Sequence, residues 1–127
     1  MEKQVLSIKQ MQHLQKLGVD TSKASMAYYA IYETEPNWFN ELRIRDEVFD
    51  KNYPSIPTFT LQEMLEMMPK AILIDGNRHP IIICVLHKKW LVGYDRANCF
   101  ITRKNLISAL YNRVCWLAKN NYIGGKK

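Results

Sequence analysis

Six carboxylates crowd one short stretch of the chain: Glu33, Glu35, Glu41, Asp46, Glu47 and Asp50. Carboxylates held near one another are common apparatus for general acid–base catalysis. Here they flank loop-like sequence, and a solvated acidic face is the better account of them. Zinc has candidates too, because Cys84 and His87 stand three apart with Asp75 and His79 upstream. Thiolate and imidazole suit zinc, but residues three apart on a strand point to opposite faces, so neither metal nor cofactor is expected. His13 falls on the polar side of a helical stretch, where an exposed histidine is the default. The chain lacks a glycine-rich phosphate loop, a Gly-x-Ser-x-Gly and a His-Glu-x-x-His, each of which would bring a definite mechanism. The expectation is a protein that is not an enzyme and has no catalytic residues.

Charge is the strongest bulk signal. Residues 1–50 carry six Lys/Arg against eight Asp/Glu, whereas residues 71–127 carry ten against two. A basic half interleaved with Trp90, Tyr94, Phe100 and Tyr111 could bind nucleic acid, since cations track phosphates and aromatic faces stack bases. Lys88, Lys89, Arg103, Lys104 and Arg113 are then the candidate phosphate contacts. The alternative is scattered, solvated charge, because these residues fall in a turn and around a helix start rather than in one stripe.

The elements that must position these groups read as follows. Ser7 and Gln10 form a capping-box pair ahead of an apolar stripe of Ile8, Met11, Leu14 and Leu17, which predicts a helix over about 8–17 ended by Gly18. Met26 to Tyr32 leans to strand over helix, because Tyr and Ile suit a pleated surface, and Leu42 to Arg45 could be its partner. Residues 46–58 look like loop, with Pro54 and Pro57 excluding regular ladder pairing. Thr60 and Glu63 make a second capping box for a helix over about 61–68, its apolar face built by Leu61, Met64, Leu65 and Met68. The methionines read as core filling rather than a binding groove.

A meander over 71–95 follows: Ala71 to Ile74, an Asp75-Gly76 turn, Ile81 to Leu86, a tight His87-Lys88-Lys89 connection, then Trp90 to Tyr94. The middle run is apolar at every position, which predicts a strand covered on both faces, with helices on one side and the N-terminal segment or a second subunit on the other. A last helix over about 103–120, capped by Thr102, carries Leu106, Leu110, Val114, Leu117 and Ala118 in one stripe. Trp116 lies nearly opposite, among Asn105, Asn112 and Asn120. It is either an aromatic anchor for a partner, with Asn112 and Tyr122 beside it, or it is covered by Tyr122 and Ile123 folding back.

The 127 residues suit one domain with a short flexible tail at 124–127. No apolar run approaches the roughly 20 residues of a membrane helix, and the N-terminus does not read as a signal peptide. Cys84, Cys99 and Cys115 are odd in number and widely spaced, which favours reduced, mostly buried thiols. A cytoplasmic location without membrane contact is expected.

Three stretches, Leu-Gly-Val-Asp-Thr-Ser-Lys-Ala-Ser-Met (17–26), Ile-Pro-Thr-Phe-Thr-Leu-Gln-Glu-Met-Leu-Glu-Met-Met-Pro-Lys (56–70) and Val-Cys-Trp-Leu-Ala-Lys-Asn-Asn-Tyr-Ile (114–123), resemble small uncharacterised bacterial proteins encoded in prophages and other mobile elements of gut bacteria. The resemblance implies a bacterial, cytoplasmic, phage-derived protein and carries over no site residue. The fold expected is α+β, a small antiparallel sheet of three to five strands packed with about three helices. The function expected is a non-enzymatic accessory or protein-interaction protein, with a protein partner or a homodimer; the alternative is a nucleic-acid-binding module.

Overall fold

The computed structural model describes residues 5–30, 41–94 and 100–123. The first helix, α1 (Ile8–Lys16), starts where Ser7 and Gln10 cap each other and ends beyond Leu17 at Gly18, whose φ of 89° suits a residue without a Cβ. Then come β1 (Met26–Tyr29), β2 (Glu41–Ile44), α2 (Glu47–Asn52), β3 (Ser55–Thr58) and α3 (Leu61–Met67). The chain continues with β4 (Ala71–Ile74), β5 (Asn77–Leu86), β6 (Lys89–Tyr94), β7 (Ile101–Arg103) and α4 (Leu106–Lys119). The fold is α+β, with two antiparallel sheets ordered β2-β1-β3 and β4-β5-β6-β7.

The expected strand at Met26 and its partner near Leu42 both form and pair with each other. Ile31, Tyr32, Glu33, Glu35, Asp95, Cys99 and the 124–127 tail lie outside the described residues.

The loop expected over 46–58 is not a loop. Asp46 caps α2 by accepting from the Val48 and Phe49 amides, and Ser55–Thr58 pairs along β1 with Pro57 opposite Ala27. Proline is tolerated there because antiparallel pairs alternate between bonded and non-bonded. Ala30 N–H donates to the Pro54 carbonyl at 3.0 Å, so the bonded positions are every second one from Pro54. Pro57 falls between them, on an edge strand, where its missing amide costs nothing.

The Thr60–Glu63 capping box is present, and Glu63 also accepts from the Ser25 amide at 2.8 Å, tying α3 to the start of β1. Both hairpin turns of the meander place two residues at positive φ, Asp75-Gly76 and His87-Lys88, the pattern that matches strand twist.

Thr102 does not cap the last helix. It lies in β7, paired with Leu91, and α4 begins three residues later than expected after Asn105, which makes no side-chain cap. Phe100, Ile101 and Thr102 are strand-suited residues, and pairing with β6 wins over extending the helix. The core fills the space between α4, α3, α1 and the inner face of the second sheet. Met11, Leu14, Met64, Val92, Leu110, Val114 and Leu117 are fully buried in it. Met11 also takes an N–H from Phe59 onto its sulfur at 3.4 Å.

Candidate functional site

Side chains alternate across a strand, and the ladder of the second sheet fixes which face each residue takes. Ile72, Ile81, Ile83, Val92, Tyr94 and Ile101 point to the core side. The opposite face carries Leu73, Pro80, Ile82, Cys84, Leu86 and Leu91, none of which belongs to the buried core. Leu73 is 65% exposed and Leu86 46%, and Cys84 is an exposed free thiol.

Of the two covers expected for the outer face of β5, the N-terminal segment packs as α1 in the core on the other side of the sheet among the described residues, which leaves a second subunit as the remaining expectation. An all-apolar run cannot distinguish a second layer of the same chain from a face left open. The expectation of mostly buried thiols is also half right: Cys115 is buried, and burial raises its thiol above the ordinary value, but Cys84 is open. Cys99 is outside the described residues.

The basic candidates fall into two groups. Trp90 pairs with Arg103 across β6 and β7, so the β5–β6 turn and the end of β7 lie at one end of the sheet. That register brings Lys88, Lys89, Arg103 and Lys104 together, with Val85 at 59% exposure and Leu86 beside them. None of these four cations forms an ion pair among the described residues. Arg113 is elsewhere. It is buried in α4 with 9% exposure, donates to Asn112 Oδ1 at 2.7 Å and lies 5.6 Å from the Trp116 ring centre, so it is placed away from any surface phosphate.

Trp116, Asn112 and Tyr122 also come together, by a local device at the end of α4. Asn121 adopts a positive φ of 64°, its amide reaches the Ala118 carbonyl at 3.2 Å, and the Tyr122 amide reaches Leu117 at 2.9 Å. This paired closure of a helix end turns the chain back on itself. Tyr122 then stacks on Trp116 with ring centres 5.5 Å apart and planes 21° apart. Trp116 is half-buried and packs against the core.

Three of the four described carboxylates of the acidic stretch, Glu41, Asp46 and Asp50, have structural partners. Tyr29 donates to Asp50 Oδ1 at 2.5 Å, and Arg45 holds the other oxygen at 3.2 Å. The Tyr29 hydrogen bond is the main cause holding the Asp50 carboxyl below its usual range. Burial, followed by that same bond, pushes the Tyr29 phenol up. Glu41 meets Arg43, and Asp46 is spent on the α2 cap.

The zinc candidates are spread out, with Asp75 and His87 in turns at opposite ends of β5 and Cys84 on its outer face. No group of three His, Cys, Asp or Glu that could hold a metal occurs among the described residues. His13 is exposed, 6.3 Å from the Tyr111 ring. One open cleft of about 470 Å³ lies between the end of α1 and Arg45, lined by Gln15, Asp20, Thr21 and Pro57 among others. No described helix is long and apolar enough to cross a membrane.

Sequence reasoning offered a second subunit as one cover for this face but named none of its residues as a site. The only available signal was that Ile82, Leu86 and Leu91 sit at alternating, same-face positions that a one-layer sheet would leave polar. No family model matches the chain, and no curated protein or solved structure is significantly similar to it.

Proposed function

We propose that this chain is a non-enzymatic accessory protein that works by binding another protein, and that its contact surface is the outer face of β5 and β6. The observation that carries this reading is the same-face row Ile82, Cys84, Leu86 and Leu91, in which Cys84 and Leu86 are exposed and Ile82 and Leu91 half-buried, with exposed Leu73 farther along the same face opposite Arg78. Large apolar side chains left exposed on one sheet face mark interaction sites in folded proteins. Covering a large aliphatic side chain is worth about 1.5–3 kcal/mol, so these residues alone offer a partner several kcal/mol. The exposed cations at the sheet's end favour a partner carrying negative charge.

Trp116, Asn112 and Tyr122 are the weaker interface candidate, because the tryptophan ring is already stacked within its own chain. A cytoplasmic setting and a prophage or other mobile-element origin in a bacterium belong to the same reading, and the neighbouring genes test them.

The direct test uses Cys84 as a handle. A photoactivatable maleimide attached there, in a Cys99→Ser background, should yield a discrete cross-linked protein adduct. Unlabelled wild-type chain should compete it away, and a Leu73→Lys/Leu86→Lys chain should not. Equal competition by both chains would refute the reading.

A nucleic-acid function is supported by one specific observation, the gathering of Lys88, Lys89, Arg103 and Lys104 at one end of the sheet. It predicts retardation of RNA or DNA at low salt that falls steeply as salt rises. Absence of any retained species at low salt would eliminate it.

A further inference from the structure

The strands β2, β3, β4 and β7 stand at the edges of the two sheets. An open edge invites pairing with another chain, and folded proteins blunt it with charge, proline, shortness or cover. β2 carries Glu41 and Arg43, β3 carries Pro57 and has α1 against it, and β7 is three residues long and ends on Arg103. β4 has none of these guards. It reads Ala71-Ile72-Leu73-Ile74, without proline or charge, and among the described residues it pairs with β5 alone.

The ladder fixes which backbone groups of β4 are free. Ile74 and Asn77 close the two-residue turn, and the Ile81 amide donates to the Lys70 carbonyl at 2.8 Å. Positions 70, 72 and 74 are therefore the ones bonded to β5, because bonded pairs recur at every second residue. The N–H and C=O groups of Ala71 and Leu73 point the other way, off the sheet. Leu73 is 65% exposed and Ala71 only half-buried, so this edge is reachable. Lys70 and Asp75 flank the strand, both exposed and in no ion pair among the described residues.

We infer that β4 of one copy pairs antiparallel with β4 of a second copy of the same chain, joining their two outer sheets into one. With the two Ile72 residues face to face, Ala71 of each copy bonds Leu73 of the other, and every free group of both strands is satisfied. A shift either way does worse. It sets Leu73 against Pro69, which has no N–H, or Ala71 against Asp75, which the turn holds at a positive φ of 52°. The side chains suit the central register: Leu73 lies beside the small Ala71 of the other strand on the outer face. The antiparallel sense also brings Lys70 of each copy to the Asp75 end of the other. A strand with a cation before it and an anion after it is complementary to itself in this sense, which selects a second copy over a foreign strand. The contact is two-fold and closed, so assembly stops at a dimer. It concerns the edge of the sheet and stands apart from the reading of its outer face given above.

Sedimentation velocity and amide exchange test it together. Wild type should pass from monomer to dimer as concentration rises, with no larger species. The Ala71 and Leu73 amides should exchange freely in dilute protein and slow about tenfold once nine-tenths of the chain is dimeric, while Ile72 and Ile74 stay protected throughout. Leu73→Pro removes an N–H that its own sheet does not use, so it should fold by circular dichroism and stay monomeric. Lys70→Asp should weaken the dimer about threefold or more, and Lys70→Asp/Asp75→Lys should recover it. Lysine is tolerated in such a turn, as Lys88 at a φ of 64° shows.

Wild type that stays monomeric at the concentrations exchange measurements need, Leu73→Pro that dimerises like wild type, or a dimer whose Ala71 and Leu73 amides still exchange freely overturns the inference. So does protection of those amides only when another protein is added, which would give the edge to a foreign strand. The Cys84 adduct reads the outer face, which edge pairing leaves open, so either proposal can fail without the other.

Discussion

Replacing Trp116 with alanine separates the two roles its position allows, because one costs stability and the other costs association. The ring packs on the core, stacks on Tyr122 at 5.5 Å and lies 5.6 Å from the Arg113 guanidinium. A tryptophan covered on this scale removes about 150 Å² from water, worth about 4 kcal/mol at ~25 cal/mol per Å². Residual burial in the unfolded chain trims that to about 3 kcal/mol. Urea unfolding should show a lower midpoint at unchanged slope, corresponding to that loss. The Tyr122→Ala variant and the double variant complete a cycle, in which a stacked pair should show a coupling of about 0.5–1.5 kcal/mol. Sedimentation of Trp116→Ala, under conditions where it remains folded, should match wild type. A loss below about 1 kcal/mol together with weakened association would refute this reasoning and restore Trp116 as the anchor.

Three further outcomes follow from local chemistry. Asp50→Asn removes a charge-assisted bond to Tyr29 and an ion pair to Arg45, and should cost about 1.5–3 kcal/mol at neutral pH. Because the folded Asp50 carboxyl is held below its unfolded value of about 3.9, its contribution is complete above that pH. It is lost as pH falls through the lower folded value, so the acid limb of stability should flatten in Asp50→Asn. At the other end of the scale, the folded Tyr29 phenol is raised above its ordinary value near 10. Its contribution is full below that pH and lost as pH climbs through the folded value, so Tyr29→Phe should lose less stability on alkaline titration than wild type. Finally, His87 and Lys88 hold positive φ without being glycine, and His87→Asn/Lys88→Gly should raise thermal stability by about 1–2 kcal/mol.

Local grammar was legible in the sequence where the signal lies within a few residues. Both capping boxes, the Asp75-Gly76 turn and the meander strands could be placed because each needs particular residues at fixed offsets. The signals that depend on a partner strand were not. Pro57 forbids a ladder bond in isolation, and only the alternation fixed by Ala30 and Pro54 shows that its position asks for none. Thr102 is a good helix cap by type, but the edge of β6 claims it.

The surface was harder still. A wheel placed Trp116 on the polar side of α4, yet the turn at Asn121, two residues past the helix, decides that Tyr122 covers it. The run Ile81 to Leu86 announced a buried strand, and its composition is the same whether the second face meets a helix of its own chain or a partner. Four of the five basic candidates converge through strand register, which no sequence spacing reveals, and Arg113 separates from them because α4 turns it inward.

The most direct test of the proposed contact surface is the reactivity of the exposed Cys84 thiol, which sits between Ile82 and Leu86 on the outer face. Its rate with a small disulfide reagent, in a Cys99→Ser background, can be followed from dilute to concentrated protein. If the outer face is a contact surface, Cys84 should react freely in dilute chain alone and slow by roughly tenfold or more as the complex forms, in proportion to the fraction bound. The protection should disappear in Leu73→Lys/Leu86→Lys. A thiol that reacts at the same fast rate at every concentration, and equally fast with a lysate of the source cell added, would contradict the account.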